Sequence, residues 1–305
     1  MNVRLALSAA AAVVTFLAGC GSGNGTTNAR PTFTANPSLP GVTTRQSAPM
    51  TAAGIARGIA TRWAAADGPV SVLNTPIEFR EVDYSASVFA PGTSRGFTAF
   101  LTTRRTTVVM PSSAAMVDIV NYAPPRFATS IDQSLWKADG RPSLGQAPVN
   151  GQRLAFPAGQ FSFLPQGSTL TYQQVTSLPS DPHQFAATIL GHLHSYAGAH
   201  PPASLQLKQL GYLIATSPLS IKARSAAWQA LASLPGLSIC ANQPIQARTH
   251  TAELCIDSPT DETQISVDTS AGAILAVTDR LIQSSPLYPH VPAGTVDNSS
   301  TFTTP

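Results

Sequence analysis

An apolar run at the start of the chain most constrains what it can become. Residues 5–16 are almost all apolar, with Arg4 before them and Leu17 and two small residues, Ala18 and Gly19, between them and Cys20. This layout is typical of a secretory signal peptide. The run has about a dozen residues where a membrane-spanning helix needs roughly 20. We therefore predict that residues 1–19 are removed and that the rest folds outside the cytoplasm.

The tetrapeptide Leu17-Ala18-Gly19-Cys20 resembles the lipobox of bacterial lipoproteins. The resemblance implies that the sulfur of Cys20 is diacylated and that this cysteine becomes the first residue. Two acyl chains attach a protein stably to a bilayer, whereas one chain gives only marginal binding. We expect a protein anchored to the extracytoplasmic face of the cell membrane. The alternative is a plain signal peptide that ends near a cysteine.

The composition changes along the chain in a way that predicts a tether followed by one domain. Residues 20–50 are mainly Gly, Ser, Thr, Asn and Pro, which cannot bury a core and favour a flexible segment. Residues 51–305 carry the periodic apolar patterns and are predicted to form a single α+β domain. The net charge of +3 is spread along the sequence without Lys/Arg clusters, so nucleic-acid binding is not expected.

Helix signals occur at the start and in the middle of this domain. Thr51 can cap a helix in which Ile55, Ile59 and Trp63 recur every four residues. Ser180-Asp181-Pro182 places a proline at the first position of a second helix. Two more helices are predicted over 205–215 and 219–234.

Short runs of β-branched and aromatic residues predict two groups of strands. The first group is expected over 77–82, 84–89, 97–103, 106–110, 116–122 and 127–135, with two further short strands around Leu154 and Phe161. The second group follows the helices and has four strands, at the two cysteine stretches (237–240 and 253–256), at 264–269 and at 273–281. An edge strand is expected near 295–302. The links are too short for helical crossovers, so the sheet is expected to be antiparallel, with the helices packed on one face.

Two cysteines remain once Cys20 is assigned to lipid. Cys240 and Cys255 lie in apolar stretches about 15 residues apart, and an even pair in an exported protein favours a disulfide. Two buried free thiols are the alternative. A metal site is not expected, because no other Cys or His lies at ligand spacing from either residue.

Several segments together resemble a family of secreted and lipidated actinobacterial proteins. They are LPSDP at 178–182, AAWQALASLPGL at 226–237, DTSAGAIL at 268–275, and Trp136 ahead of Asp139-Gly140-Arg141. The family's order of elements is similar to the half-barrel of lipoprotein carriers and periplasmic stress sensors. The resemblance implies a concave antiparallel sheet, closed by helices, that can hold an acyl chain or the tail of a partner protein.

Three strings look catalytic or metal-binding and are weighed by their context. Ser94 is the serine of G-x-S-x-G, which needs a strand before it and a helix after it, yet strand formers follow. Ser134 and Lys137 match S-x-x-K within a stretch that reads as a strand. His192 and His194 are two apart and would face different sides of a helix. We therefore interpret Ser94 as part of a hairpin turn. Ser134 and Lys137 are interpreted as strand residues, and the two histidines as ordinary helix residues.

The resulting expectation is a non-enzymatic envelope protein that binds or senses an apolar ligand or a protein partner, without a cofactor or metal. Alternating strand residues are the candidate ligand-binding set: Val88, Phe97, Ala99, Leu101 and Val109. A closed core with these side chains interdigitated is the alternative. The alternative function is a cell-wall or acyl-ester hydrolase that uses Ser94.

The anchor is testable by Cys20→Ala, which removes the thiol that would carry lipid. We expect the variant to leave the membrane fraction and to appear in the medium or as an uncleaved precursor. Cell fractionation and the mass of the N-terminal peptide measure this. A variant that stays on the membrane with a processed N-terminus would contradict the lipidation of Cys20.

Overall fold

The domain is organised by one antiparallel sheet whose last strand pairs with its first. The computed structural model describes residues 50–66, 77–89, 96–110, 115–142, 144, 151–156, 163, 170–197, 200–241, 250–284, 288 and 291–303. The described strands are β1 (Ile77–Phe89), β2 (Phe97–Met110), β3 (Ala115–Tyr122), β4 (Arg126–Phe127), β5 (Gln152–Phe156), β6 (Ser238–Ile239), β7 (Thr251–Asp257), β8 (Asp261–Asp268), β9 (Ala273–Leu281) and β10 (Val296–Thr303). The described helices are α1 (Ala52–Ala65), α2 (Ser130–Ala138), α3 (Tyr172–Thr176), α4 (Pro182–Ala197), α5 (Ala203–Thr216) and α6 (Ile221–Ala232).

The sheet is open and antiparallel, which confirms the predicted α+β class. Its described strands follow the order β5-β3-β2-β1-β10-β9-β8-β7-β6, and β4 pairs with β2 beside this path. The order runs from β5 to β6 without closing into a ring, as expected for a half-barrel-like sheet. None of the described helices is long and apolar enough to cross a membrane.

Strand register shows that the helices share one side of the sheet. Leu101 of β2 pairs with Ser85, and Ser85 pairs with Asn298 of β10. Alternate residues of a strand point to the same side, so Ala99 and Leu101 lie on the same side as Ser300 and Phe302. We call this the helix-facing side, and the opposite side the outer side.

Helix α5 packs directly on the helix-facing side of β8, β9 and β10. Tyr212 hydrogen-bonds Ser300 and contacts the ring of Phe302 edge-on, with centroids 5.4 Å apart. A Cβ at Gly211 would lie 2.9 Å from Cγ2 of Val277 and 3.1 Å from Cγ2 of Ile265. Gly211 therefore allows the helix to approach the strands closely, and a larger residue there would push α5 outward.

Helices α1, α4 and α6 form a second layer with α5 and complete the main core. Ser225 of α6 donates a hydrogen bond to the carbonyl of Ala60 at 2.8 Å, which ties α6 to α1. Arg224 is buried, with its guanidinium 5.2 Å from the ring centre of Trp63. It donates to the carbonyl of Ile214 at 2.8 Å and to that of Ser217 at 3.3 Å. A buried cation thus satisfies the C-terminal carbonyls of α5, and burial lowers its pKa to about 10.

Four secondary-structure predictions were wrong. The run near 295–302 was predicted as an edge strand, but it forms β10, which lies inside the sheet between β1 and β9. Residues 77–82 and 84–89 form one strand, β1, and residues 97–103 and 106–110 also form one strand, β2. Most of the predicted strand over 127–135 is helix α2, whose cap Thr129 accepts a hydrogen bond from the backbone of Asp132. The short helix α3 was not predicted, and the proposed strand around Phe161 lies outside the described residues. Pairing with neighbours keeps β1 and β2 continuous, a contribution that local patterns do not contain.

The two cysteines lie at disulfide distance, as predicted. Their Cα atoms are 5.4 Å apart, within the range that a disulfide spans. Cys255 pairs in register with Ser238, and the backbone N–H of Cys240 donates to the carbonyl of Glu253 at 3.0 Å. The pair therefore ties the end of the two-residue strand β6 to the next strand, β7.

The stability of this connection is testable with Cys255→Ser. A bond across a separation of 15 residues restricts the unfolded chain, so the variant should lose about 2–4 kcal/mol of unfolding free energy. Denaturant melts of both proteins, with and without reductant, measure this. Reductant should destabilise the parent and leave the variant unchanged; equal sensitivity of the two proteins would contradict the bond.

Candidate functional site

Helix α2 covers an apolar cluster at the start of β2. Phe97 and Ala99 are fully buried there, together with Leu144, and Leu101, Phe127, Leu135 and Trp136 pack around them. The ring of Phe127 lies 6.2 Å from that of Phe97 and 5.0 Å from that of Trp136, centroid to centroid. This cluster is separate from the main core, and we call it the α2 cluster.

A buried carboxylate holds α2 on the sheet. Asp132 is fully buried and accepts a hydrogen bond from the backbone N–H of Thr98 at 2.9 Å. Its other oxygen accepts from the hydroxyl of Thr129 at 2.6 Å. At the other end of the helix, the indole N–H of Trp136 donates to the carbonyl of Pro142 at 3.0 Å. Charged acceptors make the stronger hydrogen bonds, so Asp132 is the main attachment of α2 to β2.

The structure brings together three of the five predicted ligand-binding residues. Phe97, Ala99 and Leu101 belong to the α2 cluster, and the side chains of α2 already fill the space above Phe97 and Ala99. Val88 pairs in register with Thr98, so it belongs to the outer side of the sheet and not to the side of Phe97, Ala99 and Leu101. Val109, at the far end of β2, pairs with Ile77 and Met116. The side chains of Val88 and Val109 lie outside the described residues.

The helix-facing side becomes polar beyond Leu101. Thr107 is fully buried and its hydroxyl donates to Asp118 at 2.6 Å, while Arg105 lies 3.5 Å from the other oxygen of that carboxylate. Burial raises the pKa of Asp118, and the Thr107 hydrogen bond and the Arg105 charge partly oppose it. The helix-facing side of β2 is therefore polar between Leu101 and Val109, so the predicted residues on this side do not form one continuous apolar row.

A second polar cluster, which sequence reasoning missed, joins α5 to the edge of β8, β9 and β10. Lys208 lies 2.6 Å from one oxygen of Asp279, and the hydroxyl of Thr263 donates to the other at 2.8 Å. Asp297 is the extra residue where the pairing of β10 with β9 shifts. Its Oδ1 is buried without a hydrogen-bond partner among the described residues.

The charges around Asp297 disfavour its ionised form. Burial is the largest cause, followed by the negative charges of Asp279 and Asp261, and together they raise the pKa of Asp297 to about 6. Burial and the same three carboxylates raise the pKa of the Tyr288 phenol. Lys208 offsets part of this charge but already bonds Asp279. Only the register of β8, β9 and β10 brings these residues together, so no local sequence signal could have found them.

The catalytic and metal-binding strings have different outcomes. Ser94 lies outside the described residues; β1 and β2 on either side of it pair antiparallel, so a strand follows where the G-x-S-x-G elbow requires a helix. Ser134 and Lys137 lie on α2, so the strand interpretation was wrong; both are exposed, and the Ser134 hydroxyl donates to the carbonyl of Ser130 at 2.8 Å.

His192 gains no metal-binding neighbours in the part of the chain that the structure describes. His192 is half-buried on α4, and the side chain of His194 lies outside the described residues. Within those residues, no group of three or more His, Cys, Asp or Glu side chains could hold a metal ion.

Comparison of the chain with protein-family models, with curated proteins and with solved structures found no match. The candidate sites therefore depend on the geometry of this chain alone.

The Asp297 cluster predicts a pH-dependent stability difference. The pKa of Asp297 is about 6 in the folded protein against 3.8 ordinarily, so folding favours the protonated form. The ionised form destabilises the folded protein, and this effect grows as the pH rises between these two values. Asp297→Asn should therefore be more stable than the parent at pH 7 and equal to it near pH 4. Chemical melts across this range measure the difference. The exposed residue Asp257 provides the control, Asp257→Asn. A difference for Asp297→Asn that does not change with pH would contradict the cluster.

Proposed function

We propose that this chain is a lipid-anchored, non-enzymatic binding protein of the extracytoplasmic membrane surface. The anchor is Cys20, supported by the apolar run before it and by the polar segment after it. A cysteine pair at disulfide distance suits an oxidising compartment. The ligand is an apolar chain, either an acyl group or the apolar tail of an envelope protein, and it binds on the helix-facing side of β2.

The observation that carries the binding proposal is the α2 cluster. Phe97 and Ala99 form an apolar floor, separate from the main core, under one short helix. Helix α2 has nine residues, whereas helices shorter than about 12–15 residues are marginal in water by themselves. Its position thus depends on its packing and on Asp132, so α2 is a replaceable cover. An apolar chain that enters the cluster would replace the contacts that Trp136 and Leu135 make.

The chemistry of this site favours binding of an apolar group. Phe97, Ala99, Leu101 and Phe127 offer hydrocarbon and aromatic surface, and removal of apolar area from water is the main source of affinity for such ligands. Moving α2 exposes the Asp132 carboxylate and the Thr98 amide that it bonds. The Thr98 N–H can then donate a hydrogen bond to an oxygen at the polar end of an acyl ligand.

The proposal is testable by titrating the full chain with a fluorescent fatty acid. Trp136→Ala weakens the packing of α2, so a larger fraction of molecules is open and the apparent affinity should rise about tenfold. Val175→Ala removes buried apolar volume from the main core and should lower stability without changing affinity. Saturable binding that responds to Trp136→Ala and not to Val175→Ala is the expected result.

Two outcomes would contradict the proposal. The first is a folded parent protein with no saturable binding. The second is an equal change of affinity in both variants, which would assign binding to general loosening of the fold. Native mass spectrometry of gently purified protein gives an independent measurement, since a co-purified acyl chain should add a discrete mass.

A further inference from the structure

The outer side of the sheet gathers arginines that are far apart in sequence. One row across the strands, in register, contains Thr303 of β10, Arg80 of β1, Thr106 of β2, Ile119 of β3 and Arg153 of β5. Arg104 lies two residues from Thr106 along β2, on the same side, and pairs with Asn121. We call this surface the arginine face.

The arginine face is open to solvent in the described structure. Arg80, Arg104 and Arg153 are exposed, and Ile119 between them is 38% exposed. The neighbouring residues of the alternate set, Thr107 and Asp118, are buried on the helix-facing side. Around Arg80, Arg104 and Arg153 the helix-facing side is therefore covered and the outer side presents charge, whereas Thr98 and Phe100, outer-side residues at the start of β2, are buried.

The spacing of the strands sets the size of the face. Adjacent strands lie about 4.8 Å apart, so Arg80 and Arg153, three strands apart, are separated by about 14 Å. Arg126 of β4 pairs with Phe100 and adds an exposed arginine at the other end of β2. Glu78 of β1 pairs with Val108 and belongs to the outer side, as the four arginines do. The set contains four arginines and one glutamate, so the face is basic.

We propose that the arginine face docks on an anionic lipid surface. Arginines spread over β1, β2 and β5 suit a plane of phosphate groups, to which each basic residue adds about a fivefold gain in affinity. Ile119, exposed in the centre of the row, can enter the boundary between headgroups and acyl chains. An exposed apolar residue with arginines on either side of it along the row fits a bilayer better than it fits a hydrophilic polyanion.

The distance to a membrane is compatible with this docking, and here the inference rests on the proposed anchor. If residues 20–50 form the tether that their composition predicts, these 31 residues would span about 30 Å. A tether of this length keeps the domain at a high effective concentration near the bilayer, so weak contacts of the arginine face suffice to orient it. The helix-facing side and the α2 cluster would then point away from the lipid.

Vesicle co-sedimentation of the full chain carrying Cys20→Ala tests the proposal without the acyl anchor. One set of vesicles is one-third phosphatidylglycerol in phosphatidylcholine, and the other is phosphatidylcholine alone. The test variant is Arg104→Glu with Arg153→Glu. The control with the same change of net charge is Arg57→Glu with Lys222→Glu, two exposed residues on α1 and α6. Every protein keeps the same N-terminal segment, so its contribution to binding cancels.

We expect the Cys20→Ala chain to bind the anionic vesicles, and the Arg104/Arg153 variant to bind them at least about 25-fold more weakly. The control variant should lose much less affinity, and Ile119→Ser should weaken binding without changing its dependence on salt between about 0.05 and 0.5 M. Circular dichroism and thermal melts check that each variant is folded.

Three outcomes would overturn the proposal: equal losses in the two double variants, equal binding to both kinds of vesicle, or equal binding of the parent to soluble heparin with no effect of Ile119→Ser. Membrane release by Cys20→Ala in cells is a separate measurement, so failure of the anchor and failure of the arginine face are distinguishable.

Discussion

The pairing of β10 with β1 is the constraint on which the rest of the structure depends. It joins the last described strand to the first over six residue pairs, from Arg80 with Thr303 to Ser85 with Asn298. Without it, β1, β2, β3 and β5 would be separate from the strands that α5 covers. Because the two halves share one ladder, they share one helix-facing side, with the main core at one end and the α2 cluster at the other. The same ladder makes the outer side continuous.

Three buried polar groups attach helices to this frame. Arg224 binds the carbonyls at the end of α5, Asp132 binds the backbone of β2, and Lys208 binds Asp279 of β9. Each would be costly if left without its partner, so each fixes one position of its helix. The attachments differ in number: α5 also has Tyr212 and a close contact at Gly211, whereas α2 depends mainly on Asp132. Displacing α2 would therefore break fewer of these attachments than displacing α5.

The two proposed binding surfaces lie on opposite sides of β2. Odd-numbered residues from Phe97 to Arg105 lie on the helix-facing side, and even-numbered residues such as Arg104 lie on the outer side, because alternate residues of a strand point to opposite sides. A protein docked through its outer side would keep the α2 cluster accessible from the aqueous side. In these two proposals, one strand would couple attachment at a membrane with ligand access away from it.

The sequence by itself determined what depends on neighbouring residues in the chain. Thr51 and Pro182 begin their helices where predicted, and Cys240 and Cys255 lie at disulfide distance. The α+β class followed from the change of apolar period. Local patterns failed where pairing or packing competes with them: β1 and β2 run through the expected breaks, and 130–135 is helical because α2 covers Phe97 and is capped by Thr129. The charges spread along the sequence gave no sign of a basic surface, and the Asp297 cluster had no sequence signal. Only the register of the strands placed Arg80 beside Thr106 and Asp297 near Asp279, because contacts between distant residues are decided by which strands pair and not by their sequence neighbours.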